Sequence, residues 1–204
     1  GVSATHGLGR LFGTLAPTGQ GPLWSVVMGN NAPEDIYFNP GKGTSWSTNG
    51  PTGCRDSGNN PCANTPWNTY DLDGGGPDDV WVVGAGSGLL RYDGKGWQKV
   101  TNVFYAASQL DLYAVYSSKK DNLVTVAGVR NNSGSTGRQV QLYNYNRKLD
   151  AWFGPVVLYM GPHNSPAYLL DMGGPDYNDL WMVGQKEETS AGSKSIKGWV
   201  LKLQ

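Results

Sequence analysis

The chain has 204 residues, a length that suits one domain with a sizeable core. Its 16 Lys and Arg balance 16 Asp and Glu, so it lacks the basic surplus that nucleic-acid phosphates select, and no nucleic-acid partner is expected. No apolar run approaches the roughly 18 residues of a membrane-spanning helix, so no such segment is expected. With 30 Gly, 12 Pro, 8 Trp and 11 Tyr, the composition favours short β-strands joined by tight turns.

A short strand is predicted at residues 9–15, and four β-sheet units follow it, starting at about residues 22, 69, 111 and 167. Each unit begins with a short apolar strand and a turn rich in Gly, Pro and Asp. A strand of β-branched and aromatic residues comes next, followed by a third strand, a tight turn and a fourth strand. We therefore predict a single domain over residues 1–204 that is built from a repeated β-sheet unit.

The repeat is clearest in two segments. GPDDVWVVG at residues 76–84 follows Asp73, and GPDYNDLWMVG at residues 174–184 follows Asp171, so this alignment places Asp73 and Asp171 at matching positions. The unit recurs around Tyr37, Trp81, Val124 and Trp181, at intervals of 44, 43 and 57 residues. The first two intervals match the ~40–45 residues of a four-stranded propeller blade. A polar insertion at residues 131–138 lengthens the third interval.

The two ends of the chain predict how the repeat closes. Residues 198–203 are typical of a third strand, and we expect residues 9–15 to supply the fourth strand of that last unit. Pairing the two ends would close the sheets into a ring and remove exposed sheet edges. The predicted fold is therefore all-β, a small β-propeller with four blades. A five-bladed ring and an open fragment of a larger ring remain as alternatives.

The motif at residues 76–84, with GLLRYDGKGW at residues 88–97, resembles the repeats of bacterial extracellular and lipoprotein β-propellers. Those repeats commonly read Ser-Asp-Val-Trp-Ala-Val-Gly and then Gly-x-Ile-x-His-Tyr-Asp-Gly-x-x-Trp, and they are similar in style to kelch and Asp-box propellers. The resemblance extends over residues 22–203 and is closest in the second unit. It implies the fold and no catalytic residue, because the motif is structural and propellers carry many unrelated activities.

Three carboxylates, those of Asp71, Asp73 and Asp171, fall on first strands, which line the central channel of a propeller. Asp73 and Asp171 could together hold Ca²⁺, which takes oxygen ligands. The three could instead supply a general acid and base. We favour a third interpretation, in which they accept hydrogen bonds from backbone amides and no cofactor is required.

The longest irregular segment, residues 43–68, is the first candidate for a binding loop, because loops longer than about 15 residues in compact domains are commonly functional. The candidate binding residues are Trp46, Asn49, Asn59, Asn60 and Trp67, together with Trp152 in another irregular segment. The tryptophan rings can stack on sugars, but packing in the core is the favoured interpretation for each of them. The insertion at 131–138 is the second candidate. By contrast, Trp81, Trp97, Trp181 and Trp199 recur with the repeat and are expected to pack between sheets.

Cys54 and Cys62 are the only cysteines, and we expect them to form a disulfide that closes a small loop. A disulfide favours an oxidising location, so the protein is expected to be secreted, periplasmic or at the cell surface. The predicted function is a non-enzymatic binding module that recognises a protein or a glycan. The alternatives are a structural accessory subunit of an extracellular assembly, and a hydrolase that uses the channel carboxylates.

Overall fold

The computed structural model describes residues 8–13, 21–27, 36–41, 47–48, 68–101, 103, 110–131, 138–158, 167–190 and 193–203. In these parts the chain is all-β, as predicted: the strands form four small antiparallel sheets, and the one helical element described is a 3₁₀ turn at Tyr177–Asp179. No helix among the described residues is long and apolar enough to cross a membrane.

Each sheet is a meander in which strands that follow one another in the chain pair antiparallel. Sheet I contains β1 (Leu8–Gly13), β2 (Leu23–Val27), β3 (Ile36–Asn39) and β4 (Ser47–Thr48). Sheet II contains β5 (Thr69–Gly76), β6 (Asp79–Gly84), β7 (Gly88–Tyr92) and β8 (Trp97–Lys99). Sheet III contains β9 (Leu110–Ser118), β10 (Leu123–Asn131), β11 (Arg138–Asn146) and β12 (Ala151–Leu158). Sheet IV contains β13 (Ala167–Gly173), β14 (Leu180–Ser190) and β15 (Ser193–Leu203).

The first sheet corrects the predicted closure. β1 pairs with β2, from Leu8 opposite Val27 to Gly13 opposite Leu23, and within the described residues it belongs to sheet I and not to sheet IV. The prediction that residues 9–15 complete the last sheet is therefore wrong. Pairing with the next strand closes a short loop, which costs less conformational entropy than pairing with the far end of the chain. Sheet I thus begins before the predicted start at about 22, whereas the other three begin at Thr69, Leu110 and Ala167.

The first strand of every sheet has a register shift at the same place, close to its start. The next paired residue is Arg10 in β1, Asp71 in β5, Ala114 in β9 and Asp171 in β13, opposite Val26, Val83, Ala127 and Val183 respectively. These four residues therefore occupy equivalent positions. The extra residue of a bulge re-aims the side chains that follow it, so the shift decides which side chains face the neighbouring sheets.

This register also corrects the matching of Asp73 with Asp171. Asp73 lies opposite Trp81, and the residue opposite Trp181 is Gly173, so Asp171 corresponds to Asp71. The sequence alignment placed a gap in the turn in order to superpose the two Gly-Pro-Asp strings. The pairing shows that the two units align without a gap, although their turns have different residues.

Buried side chains form three clusters, each between two consecutive sheets: I with II, II with III, and III with IV. The first strands lie side by side in the same order, β1 beside β5, β5 beside β9, and β9 beside β13. Because neighbouring residues of a strand point to opposite faces, sheets II and III are covered on both faces. Sheet IV packs on sheet III through Leu180 and Met182, and its other side is called here the outer face of sheet IV.

Candidate functional site

Two carboxylates on β5 connect sheet II to sheet III. The backbone N–H of Val115 donates to Asp71 Oδ2 at 2.9 Å, and that of Ser117 donates to Asp73 Oδ2 at 2.8 Å. Asp71 Oδ1 also accepts from its neighbour Leu72 N at 2.9 Å. Residues two apart on a strand point the same way, so the Asp-x-Asp spacing matches two successive amides of β9. The favoured sequence interpretation, in which these side chains accept hydrogen bonds from backbone amides, describes this geometry.

Arg10 joins three sheets. Its Nε lies 3.2 Å from Asp71 Oδ1 on β5, and its Nη2 forms an ion pair with Asp171 Oδ1 on β13. Asp171 Oδ1 also accepts from Met172 N at 2.7 Å. One guanidinium therefore neutralises carboxylates from the second and last sheets while it belongs to the first. Sequence reasoning missed Arg10, because the residue falls outside the recognisable repeat.

Burial raises the pKa of the Asp71 carboxyl to about 7 and that of Asp73 to about 6. The backbone donors, Val115 N for Asp71 and Ser117 N for Asp73, lower these pKa values, as does Arg10 for Asp71, but burial outweighs them. A raised carboxyl pKa is also a property of catalytic acids. Here the oxygens of Asp71 are already engaged with main-chain amides and Arg10, which suits the tethering of two sheets.

The two predicted Ca²⁺ ligands are each engaged with another group. Asp73 accepts a hydrogen bond from Ser117 N and Asp171 is paired with Arg10. In the described ranges no three His, Cys, Asp or Glu side chains form a group that could hold a metal ion. Arg10 supplies the positive charge beside Asp171 that the sequence interpretation had assigned to a cation.

An Asp-x-Trp arrangement occurs twice, in sheets II and IV. Trp81 Nε1 donates to Asp79 Oδ1 at 3.0 Å, and Asp179 precedes Trp181 at the same spacing. In sheet II the Asp therefore orients the indole of the Trp that follows two residues later on the same face. Asp79 has a further ion pair, at 2.7 Å, with Arg147 of sheet III.

A cation lies over each of these two indoles. Arg91 is opposite Trp81 in the sheet and its Cζ is 5.0 Å from the ring centroid. Lys202 is opposite Trp181, and its Nζ is 5.4 Å from that ring and 2.6 Å from Asp179 Oδ1. Sheets II and IV thus carry the same Asp, Trp and cation set, and such cation–π contacts favour a fixed ring orientation.

Trp81 and Trp181 differ in whether another sheet packs over the ring. Trp81 is 1% exposed beneath sheet III, and Trp24, which holds the equivalent position in sheet I, is 1% exposed beneath sheet II. Trp181 is 44% exposed. It was expected to pack between sheets, and that expectation is wrong, because the described structure has no further sheet over it. The exposed aliphatic pair Val183 and Val200 lies beside it on the outer face of sheet IV.

Most of the predicted binding residues lie outside the described residues, namely Trp46, Asn49, Asn59, Asn60 and Trp67, as do Cys54 and Cys62. Trp152 lies on β12 and packs against Trp81, with ring centroids 5.9 Å apart, and against Tyr145 at 5.2 Å. These contacts agree with the interpretation in which Trp152 packs in the core. The sequence matches no family model and no curated protein.

Proposed function

We propose that the chain is a non-enzymatic interaction module, secreted or at the cell surface, that binds a protein partner through the outer face of sheet IV. The observation that carries this proposal is the exposure of Trp181, which contrasts with the burial of Trp24 and Trp81 at equivalent positions. An exposed apolar face that is rimmed by charged groups is typical of a protein-interaction site. Lys202 and Asp179 supply such charges beside Trp181.

The proposed scaffold is a four-bladed β-propeller with the four sheets as its blades, open between sheets IV and I so that the outer face of sheet IV stays uncovered. Support comes from the order of the first strands, each beside the next, and from the ion pair that links Arg10 in sheet I to Asp171 in sheet IV. In a five-bladed or larger ring, another first strand would stand between β13 and β1. A single arginine side chain bridging the two favours a four-bladed arrangement.

The chemistry of the face favours a protein over a glycan. Val183, Val200 and Ile196 are large exposed aliphatic side chains on this face, and they offer no hydrogen bonds to sugar hydroxyls. Protein partners commonly bury such residues around an aromatic anchor, and Trp is among the side chains enriched at the centres of interfaces. A glycan would also compete with Lys202, which already covers the ring of Trp181.

The non-enzymatic part of the proposal rests on the carboxylates. Asp71 and Asp73 bond to the backbone of β9, and Asp171 pairs with Arg10, so a hydrolase would have to break contacts between sheets in order to use them. The location rests on the predicted Cys54–Cys62 disulfide, because disulfides persist in oxidising compartments.

The test uses two matched charge substitutions. Val200→Lys changes the outer face of sheet IV, and Leu149→Lys changes an equally exposed residue (65% each) in the turn before β12. Partners cross-linked in extracellular material from the source organism would be identified, purified and titrated against both variants by calorimetry, beside a glycan array.

We expect the purified partner to bind wild type and Leu149→Lys equally and Val200→Lys at least about tenfold more weakly, because a lysine would have to be desolvated in the interface. Glycan binding that Val200→Lys leaves unchanged would refute the proposal. So would a partner that does not distinguish the two variants.

A further inference from the structure

Two interfaces within the chain show what covers this tryptophan position. Trp24 of sheet I contacts Tyr92 and Trp97 of sheet II, with ring centroids 4.9 and 5.5 Å apart. In the same way Trp81 of sheet II contacts Tyr145 and Trp152 of sheet III, at 5.2 and 5.9 Å. Each second-strand Trp is therefore covered by one Tyr and one Trp of the following sheet.

The covering rings have a fixed placement. Tyr92 on β7 is directly opposite Trp97 on β8, and Tyr145 on β11 is directly opposite Trp152 on β12. The rings of each pair are 5.4 and 5.2 Å apart. A Tyr–Trp pair on adjacent antiparallel strands is thus the common feature of both covers, and cross-strand aromatic pairs are among the more stabilising pairs in sheets.

The cation over the indole also takes part in the second interface. Arg91 Nη1 donates to the hydroxyl of Tyr145 at 3.1 Å while its guanidinium lies over Trp81. Lys202 holds the equivalent position over Trp181. Its ammonium is therefore placed where it can donate to the hydroxyl of a tyrosine that approaches Trp181 in the same way.

We propose that the outer face of sheet IV docks a partner polypeptide that presents a Tyr–Trp pair on adjacent antiparallel strands, with the tyrosine hydroxyl accepting a hydrogen bond from Lys202. This inference rests on the proposed function and names the chemistry of its partner. It is supported by complementarity with Lys202 and by the two equivalent interfaces inside the chain. Val183 and Val200 provide the apolar floor beside Trp181, as Val83 and Leu89 do beside Trp81.

The probe is a backbone-cyclised peptide of residues 141–156, which is the hairpin that carries Tyr145 and Trp152. Cyclisation restricts the peptide to its hairpin form and lowers the entropy lost on binding. The control peptide is the same ring with Tyr145→Ala and Trp152→Ala. Binding to the intact protein is followed by two-dimensional NMR, using the Trp181 indole N–H and the amides of β14 and β15.

We expect the first peptide to shift the Trp181 and Val200 signals with saturation, and the control peptide to bind at least tenfold more weakly. A double-mutant cycle then tests the hydrogen bond. Lys202→Met in the protein and Tyr145→Phe in the peptide should each weaken binding about fivefold. The two changes together should weaken it no more than either alone.

Several results would overturn the inference. Equal binding of the two peptides would do so, as would NMR shifts that map away from sheet IV. Additive effects in the double-mutant cycle would also contradict it. So would Trp181 signals that respond to cello- or chito-oligosaccharides and not to the peptide. Protection of the Trp181 indole from solvent in the free protein would also overturn it, because the chain's own sheet I or a second copy would then cover the face. If Val200→Lys abolishes binding of the native partner while the peptide fails to bind, the interaction module stands and only the Tyr–Trp chemistry is refuted.

Discussion

Arg10 on the first strand of the chain is ion-paired with Asp171 on β13, the first strand of the last sheet. The same guanidinium contacts Asp71 on β5, so one side chain connects sheets I, II and IV. Among the described residues, the buried hydrophobic clusters join each sheet to its neighbours in chain order, whereas this ion pair links the two sheets at opposite ends of that order.

Arg10→Met should therefore destabilise the protein by about 2 kcal/mol, because it leaves the buried Asp71 carboxylate without its cation. The partial exposure of Arg10 keeps the effect below that of a fully buried pair. Urea unfolding at neutral pH measures the change. Lys120→Met is the control, since it breaks the exposed Lys120–Asp176 pair at 2.8 Å and should lower the stability far less than Arg10→Met does. Equal effects of the two substitutions would show that Arg10 contributes no more than a surface ion pair.

The raised pKa values of Asp71 and Asp73 predict the pH dependence of stability. Burial raises the Asp71 pKa from 3.8 to about 7, so its contribution to stability is complete below about pH 4 and is lost as the pH rises through about 7. Asp73, with a pKa of about 6, acts in the same direction.

Wild type should accordingly lose stability relative to Asp71→Asn between about pH 4 and pH 8, because asparagine keeps an acceptor oxygen but does not ionise. Thermal unfolding of both proteins across this range measures the difference. A difference that is constant, or that grows in favour of wild type as the pH rises, contradicts the assignment of these pKa values to burial.

Gly184 lies on β14 and faces the indole ring of Trp199. A Cβ at this position would overlap the indole of Trp199 and the backbone oxygen of Tyr168. Gly184→Ala should destabilise the protein by about 2 kcal/mol or more, since the backbone cannot yield as a flexible side chain can. Gly173→Ala in the same sheet is the matched control, because no atom lies within 4 Å of its added Cβ. Denaturant midpoints that are equal for the two variants would refute this packing argument.

The predicted disulfide between Cys54 and Cys62 can be tested on native material. Neither thiol should react with iodoacetamide in denaturant until a reductant is added, and both should react afterwards, as mass spectrometry of the intact chain would record. Alkylation without reductant would remove the main support for an oxidising compartment while leaving the interaction face unaffected.

The sequence predicted the sheets best where local signals were strong. The β-branched strands and Gly-rich turns near Trp81 and Trp181 identify β6 and β14, and the all-β class follows from them. The position of β1 could not be read in this way, because strand pairing depends on contacts such as Ser25 Oγ donating to Arg10 O at 3.0 Å, which leave no periodic pattern. Bulges also leave no recognisable pattern in the sequence, which is why Asp171 was matched to Asp73 and not to Asp71.

The candidate site was less predictable than the fold. Trp181 has the same residue type and local partners as Trp81, so nothing in its own segment distinguishes an exposed ring from a buried one. The difference lies in whether another sheet covers it, which is a property of the whole arrangement. Trp152 shows the converse, because its irregular neighbourhood suggested a binding loop while its ring packs against Tyr145.

One position in the first strands limits how alike the four units can be. It is held by Arg10, Asp71, Ala114 and Asp171. Four copies of sheet II would place four carboxylates at one level with no counter-charge, and their mutual repulsion would oppose assembly. A symmetric descendant made by duplicating one unit would therefore need a compensating basic or apolar substitution at that single position in at least one copy. Charge balance at this position therefore favours units that differ in sequence there.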